Sequence, residues 1–187
     1  DWNVATTASA WRQLTKYLWP EIHKWVRRIR WDVLGRKPYQ QGKELLDMSL
    51  KLNTGEAFAV ASDNSDLIEG AHADNLLYLF DESKSIPADT WDSAEGAFST
   101  GNCFFFSIST PGEPNGRFFD IQSRKSGYQD WWVRHVTKDE AISAKRVSQD
   151  WAEARRKQWG EDSAVYQNRV EGNCAASEED GVIPLTW

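Results

Sequence analysis

The chain has 187 residues, of which 40% are hydrophobic and 27% charged, and a net charge of −6. That suits one sizeable globular domain, or one domain with a small helical appendage, and argues against a constitutive nucleic-acid binder. No apolar run approaches the roughly 20 residues of a membrane span and no N-terminal signal is visible, so a cytoplasmic protein is expected.

Cys103 and Cys174 are the only cysteines; they read as reduced thiols, and no Cys/His spacing suits zinc. The sequence opens at Asp1 and its one methionine is Met48, which leads us to expect a piece of a longer polypeptide.

In chain order, Asn3–Thr6 reads as a short strand, with Thr7-Ala8-Ser9 offering caps for a helix. Trp11, Leu14, Leu18, Ile22, Trp25 and Ile29 recur at spacings of three and four. That stripe predicts a helix with its tryptophans in the core, and Pro20 predicts a kink or a new start near Trp19. The far end of the helix is basic, from His23 to Arg30, as is Arg155-Arg156-Lys157, whereas Glu178-Glu179-Asp180 is acidic. Basic runs are either solvated faces or salt-sensitive contacts with DNA phosphates; Lys24, Arg27, Arg28 and Arg30 are the candidates for contact. Gly35 to Gly42 is turn-rich, Leu45–Leu52 and Phe58–Ala61 suit strands, and Asn64-Ser65-Asp66 caps a brief helix or turn.

Leu76-Leu77-Tyr78-Leu79-Phe80 is a continuous apolar run ending in Asp81-Glu82. It reads as a buried parallel strand that delivers two carboxylates at its C-terminal tip, the edge where open α/β sheets place ligands. Ile86-Pro87-Ala88-Asp89 starts a helix to about Ser99. Cys103–Ile108 is a second apolar strand, Gly116 precedes a helix through Arg124, and Trp131–Val136 is a further strand candidate. From Thr137 the pattern is helical, over Lys138–Ala144, Ser148–Trp159 and Ser163–Val170. Strands alternating with helices indicate a mostly parallel α/β sheet, and the last third reads as a helical annex.

Three constellations bear on chemistry. Nucleotide hydrolases use an Asp at such a strand tip to hold hydrated Mg²⁺ and the following Glu to orient or deprotonate water. Ser107-Ile108-Ser109-Thr110 would end the next strand beside those carboxylates, where hydroxyls can sense a phosphate; the plain alternative is a turn before Pro111-Gly112. Gly35 to Glu44 superficially resembles a phosphate loop, but six residues separate its glycines and Glu44 stands where a hydroxyl is needed, so it is discounted. His72, in the loop before the carboxylate strand, is either structural or a positioning group.

These segments resemble the ATPase domain of the large terminase subunit, the motor that packages DNA into tailed-phage heads. The likeness runs through Val4–Ser9, Trp11-Arg12-Gln13, Leu18–Ile22, Gly70–Asn75, Tyr78–Pro87, Ser107–Pro111, Gly116–Ile121, Trp159–Ser163 and Tyr166–Gly172. It implies a RecA-like, P-loop NTPase-type α/β sheet flanked by helices, lacking the P-loop strand, with a C-terminal helical annex. The expected division is 1–136 as a partial ATPase domain, 137–173 as its annex and 174–187 as an irregular linker toward an absent nuclease domain.

By the same resemblance Asp81 directs Mg²⁺ through water, Glu82 is the catalytic carboxylate, and Ser109 and Thr110 couple hydrolysis to movement. Mg²⁺ and ATP are the cofactors expected of the complete protein. Its partners would be duplex viral DNA, the portal protein and the small terminase subunit, in the host cytoplasm. The isolated chain is expected to be inactive. A non-catalytic interaction remnant is the main alternative and a DExx helicase-type domain a lesser one. Arg117 is the arginine nearest the coupling motif. The resemblance also implies an open apolar edge at Phe104-Phe105-Phe106, to be closed by Trp131–Val136, by another chain through self-association, or by further sequence.

Overall fold

The structure is a computed structural model and describes residues 1–62, 68, 70–71, 73–99 and 102–176. The expected cap at Asn64-Ser65-Asp66, His72 and the acidic Glu178-Glu179-Asp180 lie outside the described residues. Two compact units are present, Asp1–Ile108 and Ser109–Trp187.

The first unit is built on five strands: β1 (Trp2–Ala8), β2 (Ser49–Leu52), β3 (Gly55–Ala59), β4 (Asn75–Asp81) and β5 (Asn102–Ile108). Their order is β2-β3-β1-β4-β5. All neighbours run parallel except the β2–β3 hairpin, so the mostly parallel α/β expectation holds. Leu76, Tyr78 and Phe80 of β4 are buried, as a central parallel strand requires. They share a face with Cys103, Phe105 and Ser107 through the β4–β5 register. That face is covered by α3 (Ala88–Gly96), whose Trp91 stacks on Phe105 with centroids 5.1 Å apart and meets the edge of Phe80 at 4.9 Å.

The opposite face is covered over β1 and β3 by α1 (Trp11–Gln13), a π-helical turn (Leu14–Leu18) and α2 (Trp19–Val26). Small residues make this packing work: Ala8, Ala57 and Ala59 leave room for Leu14 and the large ring of Trp19. The Trp19 indole N–H donates to the Thr6 hydroxyl at 3.1 Å, and that hydroxyl donates to the Phe58 carbonyl at 3.0 Å. The expected break near Trp19 takes the form of the wide turn. Pro20 has no N–H to give to the carbonyl four residues back, and the Trp19 N–H reaches five residues back to Leu14. Trp11 and Trp25 were expected in the core with Trp19. They are instead 48% and 59% exposed: Trp11 opens α1, ahead of the wide turn, and Trp25 lies in the last turn of α2.

The second unit is helical: α4 (Gly116–Gln122), α5 (Lys138–Ser143), α6 (Gln149–Trp159) and α7 (Ala164–Tyr166), the last running into a π turn over Gln167–Glu171. Ala152, Tyr166 and Val170 form its core with Ile142 and Trp159 around them. Trp131–Val136 is not a strand but an irregular segment of this unit. Its alternation is apolar but not buried: Trp132 is 78% exposed.

Candidate functional site

Three parallel strands end level with one another, since Asp81 is in register with Ala8 of β1 on one side and Ile108 of β5 on the other. Asp81 is therefore the last residue of a strand flanked on both sides, at the C-terminal edge of the sheet. Its carboxylate is half-buried and accepts the Glu82 N–H at 3.0 Å through Oδ1. Burial pushes its pKa up, the Glu82 N–H pulls it back in part, and the neighbouring Glu82 charge adds to the rise.

The chain then turns sharply. Glu82 has φ 47° and ψ 44°, the left-handed region, where a side chain other than glycine costs about 1–2 kcal/mol. Ser83 holds the turn. It is almost fully buried, its hydroxyl lies 2.7 Å from the Ser107 hydroxyl, and it donates to the Ile108 carbonyl at 3.0 Å. The turn carrying both carboxylates is thereby tied to the end of the neighbouring strand. The sequence placed Ser83 and Ser107 beside the carboxylates but did not show this tie, because a hydroxyl's partner across a sheet is fixed by register.

Ser109 and Thr110 follow β5 directly in the chain and belong to the second unit. Arg117 opens α4 in that unit, its guanidinium 5.7 Å from the Tyr128 ring. The basic candidates lie on α2 and the turn after it. Lys24 is neutralised by Glu21 at 2.7 Å and Arg30 faces Asp32 at 3.7 Å. Arg28 stacks over the exposed Trp25 ring at 5.3 Å. Within the cluster, Arg27 and Arg28 are the two with no ion pair to a described residue. The Gly35–Glu44 stretch is a turn region in which Glu44 pairs with Arg36 at 3.1 Å and accepts the Gln40 N–H at 2.7 Å. Those bonds commit Glu44 to the loop itself.

Among the described residues no group of three or more His, Cys, Asp or Glu side chains could hold a metal ion. One acidic strand tip is nonetheless a donor set that fits Mg²⁺, which keeps most of its water and binds through one or two carboxylates plus phosphate oxygens. No helix among the described residues is long and apolar enough to cross a membrane.

Comparison with known proteins fits this geometry. No model of a protein family matches the sequence. Over 123 residues the chain is 25% identical to a protein of Enterobacteria phage P7 described as "Probable terminase, large subunit", a match covering 62% of this chain and 24% of that protein. The structure superposes on the large terminase of a thermophilic bacteriophage with a TM-score of 0.64 and 16% identity, covering 91% of this chain and 40% of that one. It superposes on a point mutant of the Thermus phage P74-26 large terminase ATPase domain with a TM-score of 0.61 and 17% identity, covering 92% and 77%. The chain is similar to part of a phage large terminase. Its fold is that of a large-terminase ATPase domain, the RecA-like α/β class. It spans about a quarter of the phage P7 relative and less than half of the thermophilic-phage terminase. A further structure of that thermophilic-phage terminase, of TM-score 0.57, is a complex with ADP.

Proposed function

We propose that this chain is the carboxylate-bearing part of a DNA-packaging ATPase, and that the complete protein converts ATP and water to ADP and phosphate while moving viral duplex DNA. The observation that carries this reading is Asp81-Glu82 at the tip of the central parallel strand, locked by Ser83 to the end of β5. Similarity to large terminases supports the reaction class and the DNA substrate, and the ADP complex of the thermophilic-phage terminase supports a nucleotide ligand.

In this mechanism Asp81 would hold Mg²⁺ through water, and the ion would supply charge to offset the phosphates. Glu82 orients the attacking water and takes its proton. The left-handed backbone at Glu82 turns the chain out of the line of β4, and the Ser83 tie holds that turn to the end of β5. Ser109 and Thr110, next in sequence after β5, carry the coupling step. Arg27 and Arg28 are the basic residues best placed to meet DNA phosphates; portal protein and small terminase subunit are the protein partners of the complete motor.

Positioning supplies nearly all of phosphoryl-transfer catalysis, so the chain alone is expected to show no turnover. The deciding experiment joins residues 1–176 to the part of the P74-26 ATPase domain that has no counterpart here and measures ATP hydrolysis. The chimera should turn over ATP, and Glu82→Gln should lower kcat about 10²–10⁴-fold with KM little changed. A folded chimera without turnover, or one whose turnover ignores Glu82→Gln, overturns the reading.

A further inference from the structure

Positive charge in the first unit is concentrated in one stretch. Between Lys24 and Lys43 seven lysines and arginines stand against one acid, Asp32, in a chain of net charge −6. Lys24, Arg30 and Arg36 are committed to Glu21, Asp32 and Glu44. Arg27, Arg28, Lys37 and Lys43 have no ion pair to a described residue. Three aromatic rings are interleaved with these cations, and they are used in two ways. Trp31 and Tyr39 meet edge to face at 4.7 Å, are partly covered, and hold the Arg36 guanidinium at 5.9 and 4.2 Å from their centres. Those two rings brace the loop. Trp25 is different: it is 59% exposed although the Arg28 guanidinium lies over its ring at 5.3 Å. One turn back, the Glu21 carboxylate, held below its ordinary value chiefly by Lys24, also accepts a hydrogen bond from the Trp25 side chain. The indole is thus fixed at its edge and on one face, and the rest of it is open to water.

We propose that Trp25 is a stacking platform for an unpaired DNA base, with Arg28 behind the ring and Arg27 next to it on the backbone phosphates, so that this stretch takes single-stranded DNA in preference to duplex. A base inside a duplex is stacked on both faces and shows only its edges in the grooves. A flat indole face can meet only a base that has left the stack. Sites that take single strands without regard to sequence combine cations along the backbone with aromatic faces for the bases, and an arginine against the ring adds a cation–π contribution. Because the ring is already held by Glu21 and Arg28, little side-chain freedom is lost on binding. Val33 and Leu34 are exposed in the same stretch and would suit a protein partner, but neither offers a held ring with a cation behind it. The platform rests on the DNA contact proposed above for the identity of the polymer, and not on ATP chemistry.

The probes are a short fluorescein-labelled oligothymidylate and a duplex of the same length closed at both ends by non-nucleotide linkers, each titrated with the 187-residue chain by fluorescence anisotropy at low salt. The single strand should bind about tenfold more tightly than the duplex. Trp25→Ala should weaken single-strand binding about tenfold and leave duplex binding unchanged, whereas Trp25→Phe, which keeps a ring face, should restore most of it. Trp132→Ser, which changes an exposed aromatic of the other unit, should have no effect. Arg27→Gln should weaken both polymers and reduce the salt slope for the single strand by about 0.7. Trp25 is more than half exposed, so its variants should keep the fold, which far-UV circular dichroism checks. Three results overturn the proposal: equal affinity for the two polymers, single-strand binding indifferent to Trp25→Ala, or displacement of the oligonucleotide by oligoglutamate at equal charge, which would make the stretch a surface for an acidic protein. Duplex binding that depends on Arg27 and outlasts those failures leaves the DNA contact proposed above standing; binding of neither polymer removes both.

Discussion

Asp81 and Glu82 illustrate two ways in which a residue can be placed at a cost to the fold. Glu82 holds a left-handed backbone that favours glycine, and Asp81 holds a carboxylate partly out of water. Both costs sit at the sheet edge where a ligand would bind, a place where strain is commonly stored. The Asp81 cost has a pH signature. Its pKa in the folded chain is raised, so the folded state holds the proton more firmly than the unfolded state. Stability therefore falls as pH rises through the ordinary aspartate value of 3.8 and up to the raised value, and the full penalty applies above it. Asp81→Asn keeps an acceptor for the Glu82 N–H and removes the charge. At pH 7 the variant should melt slightly higher than the parent, by less than about 1 kcal/mol because water still reaches the group. The difference should close as pH falls below 3.8. Paired thermal melts at pH 7 and pH 3.5 check this, and a gap that widens in acid would contradict the burial argument.

At the level of elements, unit two is organised by hydroxyl caps. Thr137, Ser148 and Ser163 each accept a backbone N–H three residues on, from Glu140, Trp151 and Tyr166. Thr137 and Glu140 form a reciprocal capping box, and Arg134 also bonds the Glu140 carboxylate. The bond from the Thr137 N–H, with that arginine, brings Glu140 down to about 2. A depressed acid contributes stability above its unfolded value of 4.5 that is lost as pH falls through about 2. Thr137→Ala removes the side-chain half of the box and should cost about 1 kcal/mol, read as a lower melting temperature. The Glu140 carboxyl should stay depressed by NMR, because the Thr137 N–H and Arg134 still hold it; a melting temperature no lower than the parent's would mean that the hydroxyl cap is not formed in solution. These caps were not read from the sequence, and the cap expected at Thr7-Ala8-Ser9 is not made, since Ala10 precedes α1 with no side-chain bond and Thr7 and Ala8 belong to β1; β4, β5 and α3 were visible, because a continuous apolar run between polar turns or a Pro-led amphipathic run has few other readings. The ends of β2 and β3 were less legible. Leu45 and Leu46 read as strand but lie in the turn before Ser49, where Leu45 makes only isolated bridges. Trp131–Val136 failed for a different reason: alternation predicts a strand only if another strand pairs with it, and sequence does not show the partner. Within the site, the carboxylates could be read from the chain, whereas the Ser83–Ser107 tie depended on register.

The molecule as a whole contains two units whose charges answer acid in opposite directions. In unit one the resolved shift at the sheet edge is the rise of Asp81, a penalty that acid relieves. Glu21 is lowered by its hydrogen bond from Lys24, and Asp74 by its hydrogen bond from the N-terminal amine. These are surface pairs in which screening leaves little net effect. In unit two Lys138 and Glu171 are paired with each side chain about three-quarters covered. The hydrogen bond from Lys138 holds Glu171 below the usual carboxylate range and raises Lys138 in turn. Glu171 follows the depressed-acid rule: its contribution is present above 4.5 and lost as pH falls through its folded value. Acid therefore removes support from unit two while relieving unit one. On lowering the pH, amide protection, taken relative to the slower intrinsic exchange in acid, should be lost first along Gln149–Glu171 and only later along Asn75–Asp81. Glu171→Gln should lower the stability of unit two by about 1–2 kcal/mol at pH 7, allowing for the solvent that reaches the pair, and should flatten its loss of protection in acid. If Asn75–Asp81 lost protection first in the parent chain, or if Glu171→Gln left the acid response of Gln149–Glu171 unchanged, the pair would not be what makes unit two acid-sensitive.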